Sequence, residues 1–259
     1  MADSMVYLYA ICRDLPAAAI GELTGVNGEP VRPVRNGDLV AIVGAVSAIQ
    51  FGEQALRDNL EDLGWVEAVV RAHHAVAEAV AVSAPTAPAR AATVFRDDDR
   101  VLTILRDREA ELHRLLGQLA GHREWGVKVY ALPSATSGDD LHRTAPGETA
   151  SPGTAYLLGR KAQQDRRHQA AQRLADQVDG IDSSLAACAV ATRHHRPQNP
   201  RLTGESGAMM LNAAYLVAAG QTARFTAAAD RLAGELTGAR LTVTGPWPAY
   251  SFATLPDLS

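Results

Sequence analysis

The chain has 259 residues, of which 47% are hydrophobic and 21% charged, with a formal net charge of −4. At roughly 150 residues per domain this length predicts two small domains, and the apolar share excludes a chain that stays unfolded throughout. The slight acidity argues against a dedicated nucleic-acid binder, which carries a basic domain. The cysteines, Cys12 and Cys188, are too few for a disulfide framework and read as small hydrophobic core residues in a reducing compartment.

No basic segment precedes a long apolar run at the N-terminus, so no secretory signal is expected. Residues 206–223 form the longest uncharged stretch. Asn212, Gln221, Thr222 and glycines dilute it, and it reads as a buried strand of a soluble protein rather than a membrane span.

In chain order, residues 5–12 are rich in Val, Tyr, Leu and Ile and end at Arg13-Asp14 and Pro16, which predicts a strand with a definite stop. Asn36-Gly37 is a two-residue turn signal between residues 31–35 and 39–46, so a hairpin is expected. Its second strand is nearly all apolar, as in a strand covered on both faces. From 52 to 82 the period changes. Leu56, Leu60, Leu63, Val66, Val69, Val70, His73, Val76 and Val80 form a helical stripe that Gly64 divides. Pro85 and Pro88 end it, and a short strand is expected at 91–95. Asp97-Asp98-Asp99 suits the start of one long helix reaching about residue 120, and a strand follows at 124–132.

Residues 133–152 collect Pro, Ser, Thr, Gly and Asp, the composition of a linker. Beyond it, a helix is expected at 153–178, a strand at 185–192, a polar loop at 193–204, a strand at 208–217, a helix at 221–236 and a strand at 241–244. This α-β-β-α-β order is that of a ferredoxin-like sandwich with its first strand absent or elsewhere. The reading is therefore α+β with two domains: a mixed α/β domain at 1–132, a linker at 133–152, and a modified ferredoxin-like domain with an aromatic tail at 153–259.

No phosphate loop, dinucleotide fingerprint, nucleophile elbow or zinc-type cysteine pair is present. His73 and His74 are helical neighbours whose rings diverge, one half-buried and one exposed, and the His74/Glu78 pair lacks a third ligand for a metal. Asp97-Asp98-Asp99 reads as a cap rather than a cation site. The cationic run Arg193-His194-His195-Arg196 reads as a solvated loop. Arg160, Lys161, Arg166, Arg167 and His168 form a solvated helix face, without the aromatics that base stacking needs. Trp65 and Trp125 are assigned to the core of the first domain. Trp247 lies in GPWPAYSF, where Pro246 and Pro248 fix the path of an aromatic segment that either lids the sheet or anchors a partner.

Several stretches together resemble the gas vesicle proteins of the GvpF/GvpL family: YLYAI, FGEQALRDNLEDLGWVEAVVRAHHAV, ATVF, EWGVKVYA, AYLLGRK, LNAAYLV and the closing TGPWPAYSF. The resemblance runs from about residue 5 to residue 253. It departs from the family at residues 84–93, where the usual bulky aromatic is missing, and at His74, where the family usually has Glu. It implies an N-terminal α+β domain and a modified ferredoxin-like domain. It also implies a non-enzymatic role in assembling gas vesicles, without cofactor or metal, at the vesicle shell and in the cytoplasm. The implied partners are the hydrophobic major shell protein GvpA and other accessory proteins, with no nucleic acid and no membrane. Trp247, Tyr250 and Phe252, with Leu211 and Tyr215 on an exposed strand face, are the expected partner contacts. The rival readings are a small-molecule-binding regulatory protein with a ferredoxin-like domain, and an enzyme using His73 or His74.

Overall fold

A strand that is apolar at consecutive positions must be covered on both faces, and β1 (Ser4–Arg13) is: Val6 through Cys12 are all buried. The structure, a computed structural model, describes residues 4–132, 152–197 and 207–255. β1 pairs antiparallel with β3 (Leu39–Ser47), which pairs antiparallel with β2 (Arg32–Asn36). The short strands β4 (Thr86–Pro88) and β5 (Val94–Phe95) also pair with β1, completing a sheet of order β2-β3-β1-β4 with β5 beside β1. The hairpin turn falls one residue later than expected. Asn36 is paired with Leu39, so Gly37 and Asp38 form the turn. Gly37 has φ 60°, at the first central position, where a type II′ turn requires glycine.

The register skips Tyr9 between Leu8 and Ala10. Such a bulge re-aims a side chain, and here the Tyr9 hydroxyl donates to Glu29 Oε1 at 2.6 Å and accepts from the Val26 N–H at 2.9 Å. A Cβ at Gly25 or Gly44 would collide with that Glu29 carboxylate.

Helices cover both faces of this sheet. Two short helices, α1 (Ala48–Phe51) and α2 (Glu53–Asn59), lead to α3 (Leu63–Ser83), which buries Val69, His73, Val76, Ala77 and Val80. Val69, Val76 and Val80 pack with Tyr7, Tyr9, Ile42 and Phe51 in one cluster. Asp62 caps α3 by accepting from Gly64 N–H at 2.9 Å and Trp65 N–H at 3.3 Å. The single long helix expected after Asp97 is two, α4 (Asp98–Asp107) and α5 (Glu109–Leu119), interrupted at Arg108. Arg108 leaves helical geometry at φ −112°, ψ 17°, which lets Leu112, Leu116 and Leu119 follow Val101, Ile104 and Leu105 into the core. Asp97 is the cap, accepting from Arg100 N–H at 2.9 Å, while Asp98 is bidentate to Arg32 at 2.7 and 2.8 Å.

The second sheet has order β7-β8-β6-β9, from β6 (His122–Ala131), β7 (Ala191–His194), β8 (Met209–Ala218) and β9 (Ala239–Trp247). With α6 (Pro152–Ala186) between β6 and β7, and α7 (Thr222–Glu235) between β8 and β9, the order is βαββαβ, the ferredoxin-like pattern. The first strand of that pattern, expected to be absent or elsewhere, is β6, the strand expected at 124–132 and assigned to the first domain. Trp125, Val127, Val129 and Ala131 of β6 form one cluster with Leu174, Val178, Ile181 and Leu185 of α6 and Phe225 of α7. Trp125 thus belongs to this core and not to that of the first half. The strand expected at 185–192 is also corrected: α6 runs on to Ala186, because Ile181 and Leu185 continue its apolar seam, and β7 occupies 191–194.

By contacts the chain forms two compact units, Met1–Glu124 with Pro246–Ser259, and Trp125–Gly245. The sequence division at 1–132 and 153–259 differs from this at both ends: most of β6 counts with the second unit, and the aromatic tail counts with the first. The linker at 133–152 lies outside the described residues, except that Pro152 opens α6. Residues 198–204 of the polar loop also lie outside them.

Candidate functional site

The first unit holds the most elaborate polar arrangement among the described residues, and it begins inside the core. On α3, His73 is 2% exposed. Its Nε2 faces the Ala89 carbonyl at 3.1 Å, and its Nδ1 faces the Tyr7 hydroxyl at 3.1 Å. A carbonyl can only accept, so Nε2 carries the hydrogen and Nδ1 accepts from Tyr7. Burial, reinforced by neighbouring His74 and opposed by the Ala89 bond, lowers the His73 pKa to about 4. The Tyr7 hydroxyl also accepts from the Ala92 N–H at 2.8 Å, and burial raises its pKa to about 12. These are neutral, satisfied groups.

The tail docks against that helix. The Trp247 ring meets His74 edge-on, with centroids 5.0 Å apart, and Tyr250 lies 6.1 Å from both His73 and His74. The Tyr250 hydroxyl is 3.4 Å from His74 Nδ1. Burial pushes the Tyr250 pKa well above that of ordinary tyrosine. Three further hydrogen bonds fasten the segment. Ser251 donates through its N–H and its hydroxyl to the two oxygens of buried Glu124, each at 2.7 Å. Arg123 is ion-paired to Glu78 and donates to the Pro246 carbonyl at 3.4 Å. The dipeptide Arg123-Glu124 thus holds the tail from two sides, a role its sequence does not announce.

The expected partner contacts separate. Trp247 is 38% exposed at the end of β9, and Tyr250 and Phe252 are half-buried in the fastened tail. Leu211 and Tyr215 are not surface residues. At 7% and 0% exposure they face the helices of the second unit, on the core side of β8. The Tyr215 hydroxyl donates to Asp182 at 2.5 Å, and its ring lies 5.6 Å from Phe225. Alternation along β8 points positions 211, 213, 215 and 217 inward together.

Among the described residues no group of three or more His, Cys, Asp or Glu could hold a metal ion. His74 and Glu78 diverge, His74 toward the tail and Glu78 toward Arg123. His194, expected in a loop, is at the end of β7 and bonds Asp182 at 2.8 Å. Cys12 is a buried free thiol whose pKa burial raises to about 12, and Cys188 is a half-buried one. A cavity of about 320 Å³ in the second unit is lined by Gln177, Ile181, Ser184, Leu232 and Leu236 beside the ion pair of Arg231 and Glu235. No described helix is long and apolar enough to cross a membrane.

Fold and site together define an α+β protein of two units, an antiparallel sheet layered by helices and a ferredoxin-like unit, whose distinctive polar cluster is a fastening for an aromatic segment. Residues 5–254 match the family described as gas vesicle synthesis protein GvpL/GvpF, and the chain belongs to that family. It is 40% identical to gas vesicle protein L of Streptomyces sp. (strain CB03234), over 98% of this chain and 95% of that protein. To gas vesicle protein F of the same strain it is 26% identical, over 95% and 98% of the two chains. The crystal structure of the gas vesicle protein GvpF from Anabaena sp. PCC7120 superposes with a TM-score of 0.70 at 19% identity, covering 98% of this chain and 97% of that one, and shows the shared fold. The chain is a gas vesicle-related protein, and its identity to L exceeds that to F within one strain.

Proposed function

We propose that the chain acts in gas vesicle assembly as a non-catalytic accessory or minor structural protein. In this reading it binds the hydrophobic shell protein GvpA and other accessory proteins, in the cytoplasm and at the growing vesicle. A shell subunit with a gas-facing apolar surface aggregates when that surface meets water, and a folded partner that covers it keeps the subunit available. The observation that supports this is Trp247. Flanking prolines and the edge-on His74 hold its ring in place while a large part of it stays exposed. An exposed, preorganised tryptophan is the side chain that dominates protein interfaces, since little entropy is lost in ordering it. Phe252 lies in the same tail. Tyr250 serves as support, through its contact with His74.

Co-expression of GvpA with the full chain tests this. Trp247→Ala is expected to leave the circular dichroism spectrum near wild type, with a melting temperature a few degrees lower from the lost His74 contact, while lowering soluble, co-purifying GvpA about tenfold, which is some 1.4 kcal/mol of binding. Unchanged recovery of GvpA with a folded variant would overturn Trp247 as the contact.

A further inference from the structure

The two units carry opposite charge. The first holds twelve arginines against nineteen acidic residues, and the second thirteen basic against ten acidic. Within the second, the charge concentrates on the part of α6 that leaves the core. The seam of α6 is apolar at Leu174, Val178, Ile181 and Leu185. Extended toward the N-terminus at the same helical spacing, it becomes Ala171, Arg167, Gln163 and Arg160. From 157 to 173 every side chain is exposed except the half-buried Gln163 and Ala170. Among the described residues no ion pair involves Arg160, Lys161, Arg166, Arg167 or Arg173. Leu157 and Leu158 are 66% and 59% exposed on this arm. A helical stretch with neither a core face nor side-chain ion pairs is marginal in water and gains by docking.

The first unit displays the complement. Asn59 donates to the Gln50 carbonyl at 3.0 Å, which ties the end of α2 to the end of α1, next in sequence to Leu60 and Ile49. Ile49 is 80%, Leu60 52% and Leu63 82% exposed. Glu53, Asp58, Glu61, Asp62 and Glu67 lie in the same stretch of chain, all exposed; Glu53 and Glu67 are ion-paired to Arg57 and Arg71, so acids still outnumber bases there by five to two. An apolar patch rimmed by acids fits a partner that is apolar and basic.

We propose that this chain self-associates head to tail: the basic, leucine-bearing arm of α6 on one copy docks on the acidic patch around Ile49, Leu60 and Leu63 of a second copy. The two surfaces are different, so the contact is heterologous, and it builds chains or rings rather than a closed two-fold dimer. The charge term makes association weaken with salt.

Sedimentation velocity of the full chain tests this. Low salt is expected to give species that grow with concentration, and high salt to dissolve them. Arg160→Glu with Arg167→Glu (arm variant), and Glu61→Arg with Leu63→Ser (patch variant), are each expected to weaken association at least about tenfold. All four positions are exposed, so melting temperatures should match wild type. Leu157→Ser with Leu158→Ser is a second arm variant. The deciding measurement mixes arm and patch variants. Each retains one intact surface, so the mixture should give a one-to-one dimer and nothing larger. A wild-type chain that stays monomeric at low salt, as it would if the arm served a different polypeptide, overturns the proposal. So does association that is indifferent to both sets of substitutions, or a mixture that forms no dimer.

Discussion

The aromatic tail of the first unit and the arm of α6 in the second are opposites. Much of the tail after β9 has no regular secondary structure, yet Glu124 holds it at Ser251 and His74 meets it at Tyr250. The arm is regular helix, yet most of its side chains from 157 to 173 are exposed. Backbone order and tertiary anchoring are separate quantities. The first comes from local hydrogen bonding and the second from partners distant in sequence. A segment can be irregular and fixed, or regular and unsupported, and the second kind is the one left available for another molecule.

The contrast can be broken most strongly through His73, which underlies the tail. Its folded pKa of about 4 lies below the ordinary 6.5 because burial disfavours the charged form. Between those values the unfolded chain binds more protons, so stability is full above about pH 6.5 and falls as pH drops toward 4, by about 3 kcal/mol. Protonation of Nδ1 also ends its acceptance of the Tyr7 hydroxyl. Urea denaturation across this range should show that slope, and His73→Gln should flatten it. Next, Glu124→Ala removes both acceptors of Ser251 and should cost about 2 kcal/mol, with faster amide exchange in the tail. In the second unit, Tyr215→Phe deletes the bond to Asp182 and should cost about 1 kcal/mol, leaving the tail's exchange unchanged. The smallest effect belongs to the arm. Ala170→Gly weakens local helicity by roughly 1 kcal/mol, seen as faster exchange within 157–173, while global unfolding stays within 0.5 kcal/mol or so of wild type. A large global loss there would mean that the arm is anchored after all.

The sequence disclosed what local patterns encode. The apolar run of β1, the hairpin at Gly37, the cap at Asp97, the strand around 209–218 and the helix at 222–235 were all legible from period and turn chemistry. What it concealed depends on distant partners. Leu211 and Tyr215 look like half of an alternating strand, and only the docking of α6 and α7 decides which half is inside. Trp125 reads with its neighbours as part of the first half, but its ring packs 5.8 Å from Phe225. The fastening of the tail joins Ser251 to Glu124 and Trp247 to His74 across more than a hundred residues, beyond the reach of any periodicity. The interruption at Arg108 was hidden because Leu105 and Leu112 keep helical spacing across it.

The tail's attachment has a consequence for biosynthesis. The first unit is discontinuous, begun by the opening half of the chain and finished by residues after Gly245, whereas the second is contiguous. On a ribosome the second unit can complete its fold while the first still lacks its closing segment, and only once the residues after Gly245 have been made can Glu124 and His74 find Ser251 and Trp247. A message truncated just after β9 would therefore damage the part of the protein made earliest.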